Sequence, residues 1–539
     1  MGKKEMIRGF AAALAVCAFL GPVQAAPRAE LTDPLDWLYP DSKIGEARAF
    51  EATEVPANGV AEVNVLFNDL EIGREVTFSA DRRDAEWFRF VDVPVEVNTG
   101  LEGGVERASV TNRFVSRDAP FRVYDALEPL KGGSFVPKAK TAALRFRLRA
   151  FGTKSGAVPV SLTFAQGKFH VTRTFTVNVH AAELPPVGKA SFRYTNWMNY
   201  DSMALCHGLK PWSPEHLEMI RRYVRLAAYG RQNMSLVPLF DDPKRIESFV
   251  RLLEESGIWY LEGSHLAGFS THKWGAPAFV PRGSTNLTTS AEGERVLAKK
   301  ATYVADVIRR NGWEERWYQH VADEPSEHNL SEYRKTCVLV HKYMPGVKLT
   351  DAVESYDMPG ALEAYCPKNR YYEENRARFE ALRVSPTNEI WCYTCMFPGG
   401  RWLNRLLDNE LVRPTLLPWG CAAFSLDGYL HWGYNQFGPK NDPLRTNISR
   451  DEHMSSNLPP GDRNIVYAGT DGPWPSVRLE AMRQGFEDCE LLKVLSARDK
   501  SAADALVRRL VRGFGDYTTD LGEYWSVRKA LLRAVAEER

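Results

Sequence analysis

Trp317-Tyr-Gln-His-Val-Ala-Asp-Glu-Pro-Ser326 is the stretch that decides how the chain is read. Trp317 to Ala322 form an apolar, aromatic run with the length of a buried strand, and Pro325 cannot extend a ladder because it has no N–H. The run ends in two adjacent carboxylates, Asp323 and Glu324. Carboxylates at the C-terminal mouth of a buried parallel strand stand where barrel enzymes keep their chemistry. Like charges side by side also raise at least one pKa, which suits a group that donates a proton near neutrality. The same letters fit a helix N-terminus, where acidic first-turn residues and caps gather. The dipeptide alone leaves both readings open.

The surrounding sequence extends the strand reading. Phe192–Trp197, Met234–Phe240, Trp259–His265, Trp317–Ala322, Lys348–Val353, Leu362–Cys366, Glu389–Tyr393 and Phe424–Trp432 are strand-like. Helical runs fall between most of them, at Pro214–Tyr229, Ile246–Glu255, Glu292–Arg310, Leu330–Tyr343, Tyr372–Leu382 and Trp402–Leu411. Strands alternating with helices over about 240 residues predict one (β/α)8 TIM barrel, residues 190–440, with Asp323 and Glu324 closing its fourth strand. Ahead of it, residues 27–185 carry short strand runs such as Val63-Asn-Val-Leu-Phe67 and Ala143-Leu-Arg-Phe-Arg147 between Gly, Asn and Pro turns, predicting a β-sandwich. Leu184-Pro-Pro-Val-Gly188 is a short, stiff linker. Residues 441–539 read as a loop-rich and helical C-terminal extension packed on the barrel. Its helices are expected at 476–495, 503–512 and 521–538, with Arg478, Arg483, Glu487 and Asp488 in structural ion pairs.

Composition narrows the function classes. Lys plus Arg total 69 against 68 acidic residues, a net charge of +1 that gives no electrostatic case for nucleic acid or an acidic membrane. Residues 1–25 have the form of a secretory signal peptide: Lys3, Lys4 and Arg8, an apolar run from Gly9 to Leu20, and Val23-Gln-Ala25 as cleavage site. Export to the periplasm or beyond is therefore expected, with no integral membrane segment in the mature protein. Seven cysteines follow the leader, an odd and scattered set that does not form a disulfide framework. Cys392-Tyr-Thr-Cys395 lacks the second pair of a zinc site and lies in a strand-like run instead of opening a helix. The histidines show no zinc-hydrolase pattern, and neither a phosphate loop nor a Gly-x-Ser-x-Gly elbow is present. No metal or nucleotide cofactor is expected.

Four stretches resemble glycoside hydrolase family 123, the exported β-N-acetylgalactosaminidases, and uncharacterised proteins that share its catalytic domain. They are Asn196-Trp-Met-Asn-Tyr-Asp201, His320-Val-Ala-Asp-Glu-Pro325, Trp391-Cys-Tyr-Thr-Cys-Met-Phe-Pro398, and Asp427-Gly-Tyr-Leu-His-Trp-Gly-Tyr-Asn435 with the later Pro-Ser-Val-Arg-Leu-Glu-Ala-Met-Arg. The resemblance implies hydrolysis of terminal β-linked N-acetylgalactosamine on a glycan or glycolipid, with the sugar's own 2-acetamido oxygen as nucleophile. Most retaining glycosidases instead hold two carboxylates about 5 Å apart across the sugar, which neighbours on one strand do not easily do. By the resemblance Glu324 is the general acid and base, and Asp323 holds the acetamido N–H and offsets the oxazolinium charge. Tyr393, Trp432 and Asn435 are the leading sugar contacts; Trp391, Trp197, Asp201, Glu354, Tyr356 and His320 complete the candidate pocket. Two rival readings stand beside this one: the same fold acting on another glycan such as an N-acetylglucosaminide, and a non-catalytic glycan-binding surface protein.

Overall fold

The computed structural model describes residues 25–107, 110–149, 154–271, 273–451 and 456–537. The leader, apart from Ala25, lies outside the described residues, and so do Cys17 and His272. No described helix is long and apolar enough to cross a membrane.

The N-terminal region is sheet-rich. Arg28–Thr32, Val60–Asn68, Ala142–Arg149, Glu86–Val95 and Phe121–Pro129 form one five-stranded sheet in that order. Ala52–Pro56, Phe169–His180, Gly156–Gln166, Val76–Ala80 and Ser134–Phe135 form the other. From Val160 to Gln166 every second residue is buried, so Val160, Leu162 and Phe164 face inward. Phe164 meets Phe67 of the opposite sheet with ring centroids 5.1 Å apart.

Eight parallel strands follow: β1 (Arg193–Asn196), β2 (Met234–Val237), β3 (Tyr260–Gly263), β4 (Trp317–His320), β5 (Lys348–Val353), β6 (Ala364–Pro367), β7 (Glu389–Thr394) and β8 (Gly428–His431). They lie in the order β1-β8-β7-β6-β5-β4-β3-β2, a nearly closed TIM barrel whose ends meet at β1 and β2. Asn233 spans that seam. Its N–H donates to the Tyr194 carbonyl at 3.1 Å, and its side-chain oxygen accepts from the Tyr194 N–H at 3.0 Å. Apart from Arg193, Lys348 and the partly covered Leu236 on β2, nearly every position on these strands is buried, and parallel strands covered on both faces read as continuous apolar runs. The helices start on local signals: Ser213 caps Pro214–Tyr229, Asp242 caps Pro243–Glu255 and Ser290 caps Ala291–Asn311.

Two predicted helices are corrected. Tyr372–Leu382 is in fact two short helices, Asn369–Glu374 and Arg376–Glu380. Trp402–Leu411 is a run of turns, and the helix before β8 is Val412–Ala423, of which Val412 to Cys421 are all buried. It is apolar around its whole circumference because it is wedged between the barrel and the helix Val477–Arg498, so it lacks an amphipathic period. Pro414 and Pro418 inside it read as helix breakers.

Helices Val477–Arg498, Lys500–Leu510 and Leu521–Ala536 end the chain. The first also packs on the sandwich strand Phe121–Pro129, and the last packs on Ala52–Pro56. These contacts are charged yet dry. Arg478 pairs with Asp125 at 2.9 Å with neither side chain exposed, and the Tyr467 hydroxyl donates to the same carboxylate at 2.5 Å. Arg483 reaches Glu62 and Glu480 at 2.9 Å and Glu487 at 2.6 Å. A buried pair contributes little over an apolar replacement, but removing one member strands the other charge. Asp125→Ala is therefore expected to lower stability by about 3–5 kcal/mol, measured as a fall in the denaturation midpoint. A loss no larger than that of Asp69→Ala, whose ion pair with Arg28 is partly exposed, would refute this account.

Candidate active site

The carboxylate pair hangs from a buried ion-paired network at the C-terminal ends of β3, β4 and β5. Asp351 on β5 accepts the backbone N–H groups of Val321 and Ala322 at 3.2 and 2.8 Å, the two residues directly before Asp323. It also accepts the Tyr333 hydroxyl at 2.6 Å and faces His320 Nδ1 at 2.9 Å. The other ring nitrogen of His320 faces Glu262 of β3 at 3.0 Å. Burial works against a charge on this ring, but the bonds to Asp351 and Glu262 outweigh it and raise its pKa to about 10. His320 is thus an imidazolium clamped between two carboxylates.

Past Ala322 the chain leaves the strand, and Glu324 takes a left-handed conformation with φ of 43°. That conformation is strained for a residue with a Cβ and breaks the alternation of an extended chain. Asp323 and Glu324 consequently line the same cavity, of about 770 Å³. Burial, then the charges of Glu324 and Asp351, hold the Asp323 carboxyl well above the ordinary carboxylate range. The Tyr393 hydroxyl donates a short hydrogen bond to Glu324, and Lys368 Nζ lies 3.8 Å from the same oxygen.

Of the residues predicted from sequence, Trp197, Glu354, Tyr393 and Trp432 line this cavity with the pair. Trp197 donates to Glu262 at 3.1 Å, Trp432 donates to Asp462 at 3.1 Å, and Glu354 is ion-paired to Lys368. The other candidates lie elsewhere. Trp391 points into the barrel as Tyr393 does, but one layer lower, where its indole donates to Glu389 at 2.9 Å. Asn435 is buried and exchanges hydrogen bonds of 2.9 Å with the backbone of Asn199. Asp201 is exposed in the first turn of the helix Tyr200–Cys206. Tyr356 stacks on Tyr371 at 6.1 Å and so stands behind a cavity-lining ring. His320 lies beneath the cavity floor, in the network already described.

Several lining groups carry no sequence motif. Lys368 follows β6 directly and could have been found as a charge at the mouth of a barrel strand. Asp351 and Glu262 are lone carboxylates within apolar strands, which by itself signals a required partner. Trp274 comes from an irregular segment and gives no such signal. Met396 and Phe397 complete one wall, held by the N-terminal region: Gly104 N–H donates to the Met396 carbonyl at 2.9 Å, and Gly399 N–H donates to Glu102 at 3.0 Å. A Cβ on Gly103 would stand 2.2 Å from the Phe397 ring, so that position requires glycine.

Among the described residues, His265, His320 and Asp351 have ligand atoms within 4.8 Å of one another, the spacing of a metal triad. His320 has both nitrogens facing carboxylates and, as an imidazolium, offers a metal no lone pair. Cys392 and Cys421 are free thiols with sulfurs 3.6 Å apart in the barrel wall, and Cys395 lines the cavity.

Residues 283–495, from before β4 to within the helix Val477–Arg498, match the family model of the glycoside hydrolase 123 catalytic domain. Over those residues the chain is similar to the catalytic domain of glycoside hydrolase family 123. Its fold is that of a family 123 glycoside hydrolase from Clostridium perfringens, a structure concerned with glycolipid glycan hydrolysis. The two superpose with a TM-score of 0.66 over 95% of this chain and 98% of that one, at 12% identity. A β-glucuronidase from Parabacteroides merdae (10% identity, 86% of this chain and 52% of that one) and a Clostridium thermocellum xylanase (12%, 84% and 93%) each reach a TM-score of only 0.32, too low to inform the site. No curated protein matches the sequence.

The His320 clamp has a pH signature. Its folded pKa of about 10 lies above the ordinary 6.5, so its contribution to stability is complete below pH 6.5 and is lost as pH rises through about 10. NMR of the ring nitrogens at about pH 8 is expected to show His320 protonated, since an ordinary histidine is neutral there; a neutral ring would refute the clamp.

Proposed function

We propose that the enzyme removes terminal β-linked N-acetylgalactosamine by substrate-assisted, retaining hydrolysis. The observation that carries this reading is that two consecutive carboxylates are turned onto one cavity wall by the left-handed backbone at Glu324. Neighbours on one wall do not span a sugar ring as an acid and a nucleophile must. Of the other lining carboxylates, Glu354 is engaged with Lys368 and the fully buried Asp462 with Trp432, while Glu327 stands exposed at the solvent side, three residues past Glu324. The nucleophile is then the substrate's own acetamido oxygen, already attached at the reacting carbon's neighbour.

The coupled pair supplies the proton. Burial and the neighbouring Glu324 and Asp351 charges hold the Asp323 carboxyl above its usual range, so the site retains a proton where an ordinary carboxylate has lost it. An acetamido N–H donated to Asp323 favours its anion and leaves the proton on Glu324. Glu324 passes it to the leaving oxygen as the acetamido oxygen closes on the anomeric carbon. Asp323 then faces the positive oxazolinium, and Glu324 takes a proton from the water that opens it. The Tyr393 hydroxyl and Lys368 fix the Glu324 carboxylate, and Trp197 and Trp432 provide flat apolar faces for the ring. We further propose that residues 1–25 export the enzyme to a glycan or glycolipid substrate outside the cytoplasm.

The test is release of chromophore from the aryl β-N-acetylgalactosaminide, beside the N-acetylglucosaminide and the unsubstituted β-galactoside. Activity is expected on the first and is expected to fall by about 10²–10⁴-fold in Glu324→Gln and in Asp323→Asn. Hydrolysis of the unsubstituted galactoside, or full activity in either variant, would overturn the acetamido-assisted reading. Preference for the N-acetylglucosaminide would keep the mechanism and change the sugar.

A further inference from the structure

A second, smaller groove of about 250 Å³ opens beside the cavity, and Trp274 and Asp323 line both. Its walls come from the hairpin Ala267–Phe269 and Phe279–Pro281, with Arg282 and Ser284 at the rim. The Arg282 guanidinium lies against the main chain at Gly268, where a Cβ would stand 3.4 Å from its central carbon. It makes no hydrogen bond or ion pair among the described residues, although its charge reaches Asp323 and His265. The Trp274 indole N–H is buried and equally without a partner among the described residues. The exposed guanidinium stands at the rim of a groove whose remaining surface is largely aromatic and aliphatic, with the buried Trp274 N–H in its wall. A guanidinium without a protein partner is open to an anion brought by a ligand, and it binds sulfate or carboxylate best.

The order of atoms in the sugar says which position reaches this groove. On the reading proposed above, Glu324 serves the anomeric oxygen and Asp323 serves the nitrogen on C2. Continuing in the same direction, past Asp323 and away from Glu324, the next ring positions are C3 and C4. We propose that the groove is a second subsite, which takes an anionic substituent, a sulfate ester or a carboxylate, carried on O3 or O4 of the terminal N-acetylhexosamine. The enzyme would then favour acidic glycans over neutral ones.

The proposal rests on the hydrolase reading for its ring geometry, but binding tests it separately. Calorimetry on the Glu324→Gln protein would compare the methyl β-N-acetylgalactosaminide with its 4-O-sulfate and with its 3-O-carboxymethyl ether. At least one anionic ligand is expected to bind roughly tenfold more tightly than the neutral one, the scale of one charge-assisted pair. That advantage should vanish when Arg282→Gln is added and shrink several-fold with Trp274→Phe. Which ligand shows it identifies sulfate or carboxylate as the source of the charge. Equal affinity for all three, an advantage that survives Arg282→Gln, or no binding of any of them would overturn the subsite. A retained anionic advantage in a protein whose wild type hydrolyses none of the aryl glycosides would fail the hydrolase reading and leave the subsite standing.

Discussion

The structure of the site depends on one buried carboxylate, Asp351. It accepts two backbone N–H groups, a tyrosine hydroxyl and an imidazolium N–H, so its charge is fully compensated without solvent. Those two N–H groups belong to the residues that lead into Asp323, and the imidazolium ties Asp351 to Glu262 two strands away. The ends of β3, β4 and β5 are thereby fixed to each other as well as to the loop that carries the pair. The Asp351 carboxylate also lies near Asp323, where its charge acts on that carboxyl against the opposing His320 imidazolium. This is one cause of the raised Asp323 pKa, and it links the anchoring of the loop to the proton the loop must carry.

The strain at Glu324 is sustained by contacts on all sides. Asp351 pins the chain before it, Tyr393 and Lys368 hold its side chain, and the Glu354 N–H, just past β5, donates to the Pro325 carbonyl at 3.1 Å. Lys368 in turn lies 5.6 Å from the Tyr393 and Phe397 ring centres. Phe397 is positioned by the glycine loop of the N-terminal region, which is the physical link between that region and the cavity. The sandwich therefore shapes the active-site wall as well as adding buried surface.

Much of this was legible in the sequence, and the failures share a cause. The eight barrel strands stand out because double-sided burial writes them as apolar runs, and Asp323 and Glu324 stand out as charges where such a run stops. Alternation along β7 correctly directs Trp391 and Tyr393 inward, but it carries no information about height, and the barrel has layers. Trp391 belongs to the layer sealed by Glu389, and Tyr393 to the layer open to the cavity. Asn435 and Asp201 flank strand ends without turning toward the cavity. Trp274 and the loop that positions Phe397 are invisible for a different reason: nothing periodic marks either, and the loop acts on Phe397 across nearly 300 residues of sequence. The helix Val412–Ala423 was misplaced because full burial erases the amphipathic signal that locates surface helices.

The electrostatic character of the cavity follows from the same arrangement. Asp323, Glu324, Glu327, Glu354 and Asp462 line it against one lysine, and that lysine is already shared between Glu324 and Glu354. A wall with this balance opposes the accumulation of negative charge on a bound sugar and favours a reaction in which positive charge develops at the anomeric centre. The substrate-assisted hydrolysis we propose would develop such a charge, first on the ring and then on the oxazolinium, next to Asp323. A neutral sugar enters such a cavity without an electrostatic cost, whereas a sugar bearing an anion must bring that anion to a cation outside the acidic wall. Arg282, beyond Asp323 on the groove rim, is the cation placed to meet it.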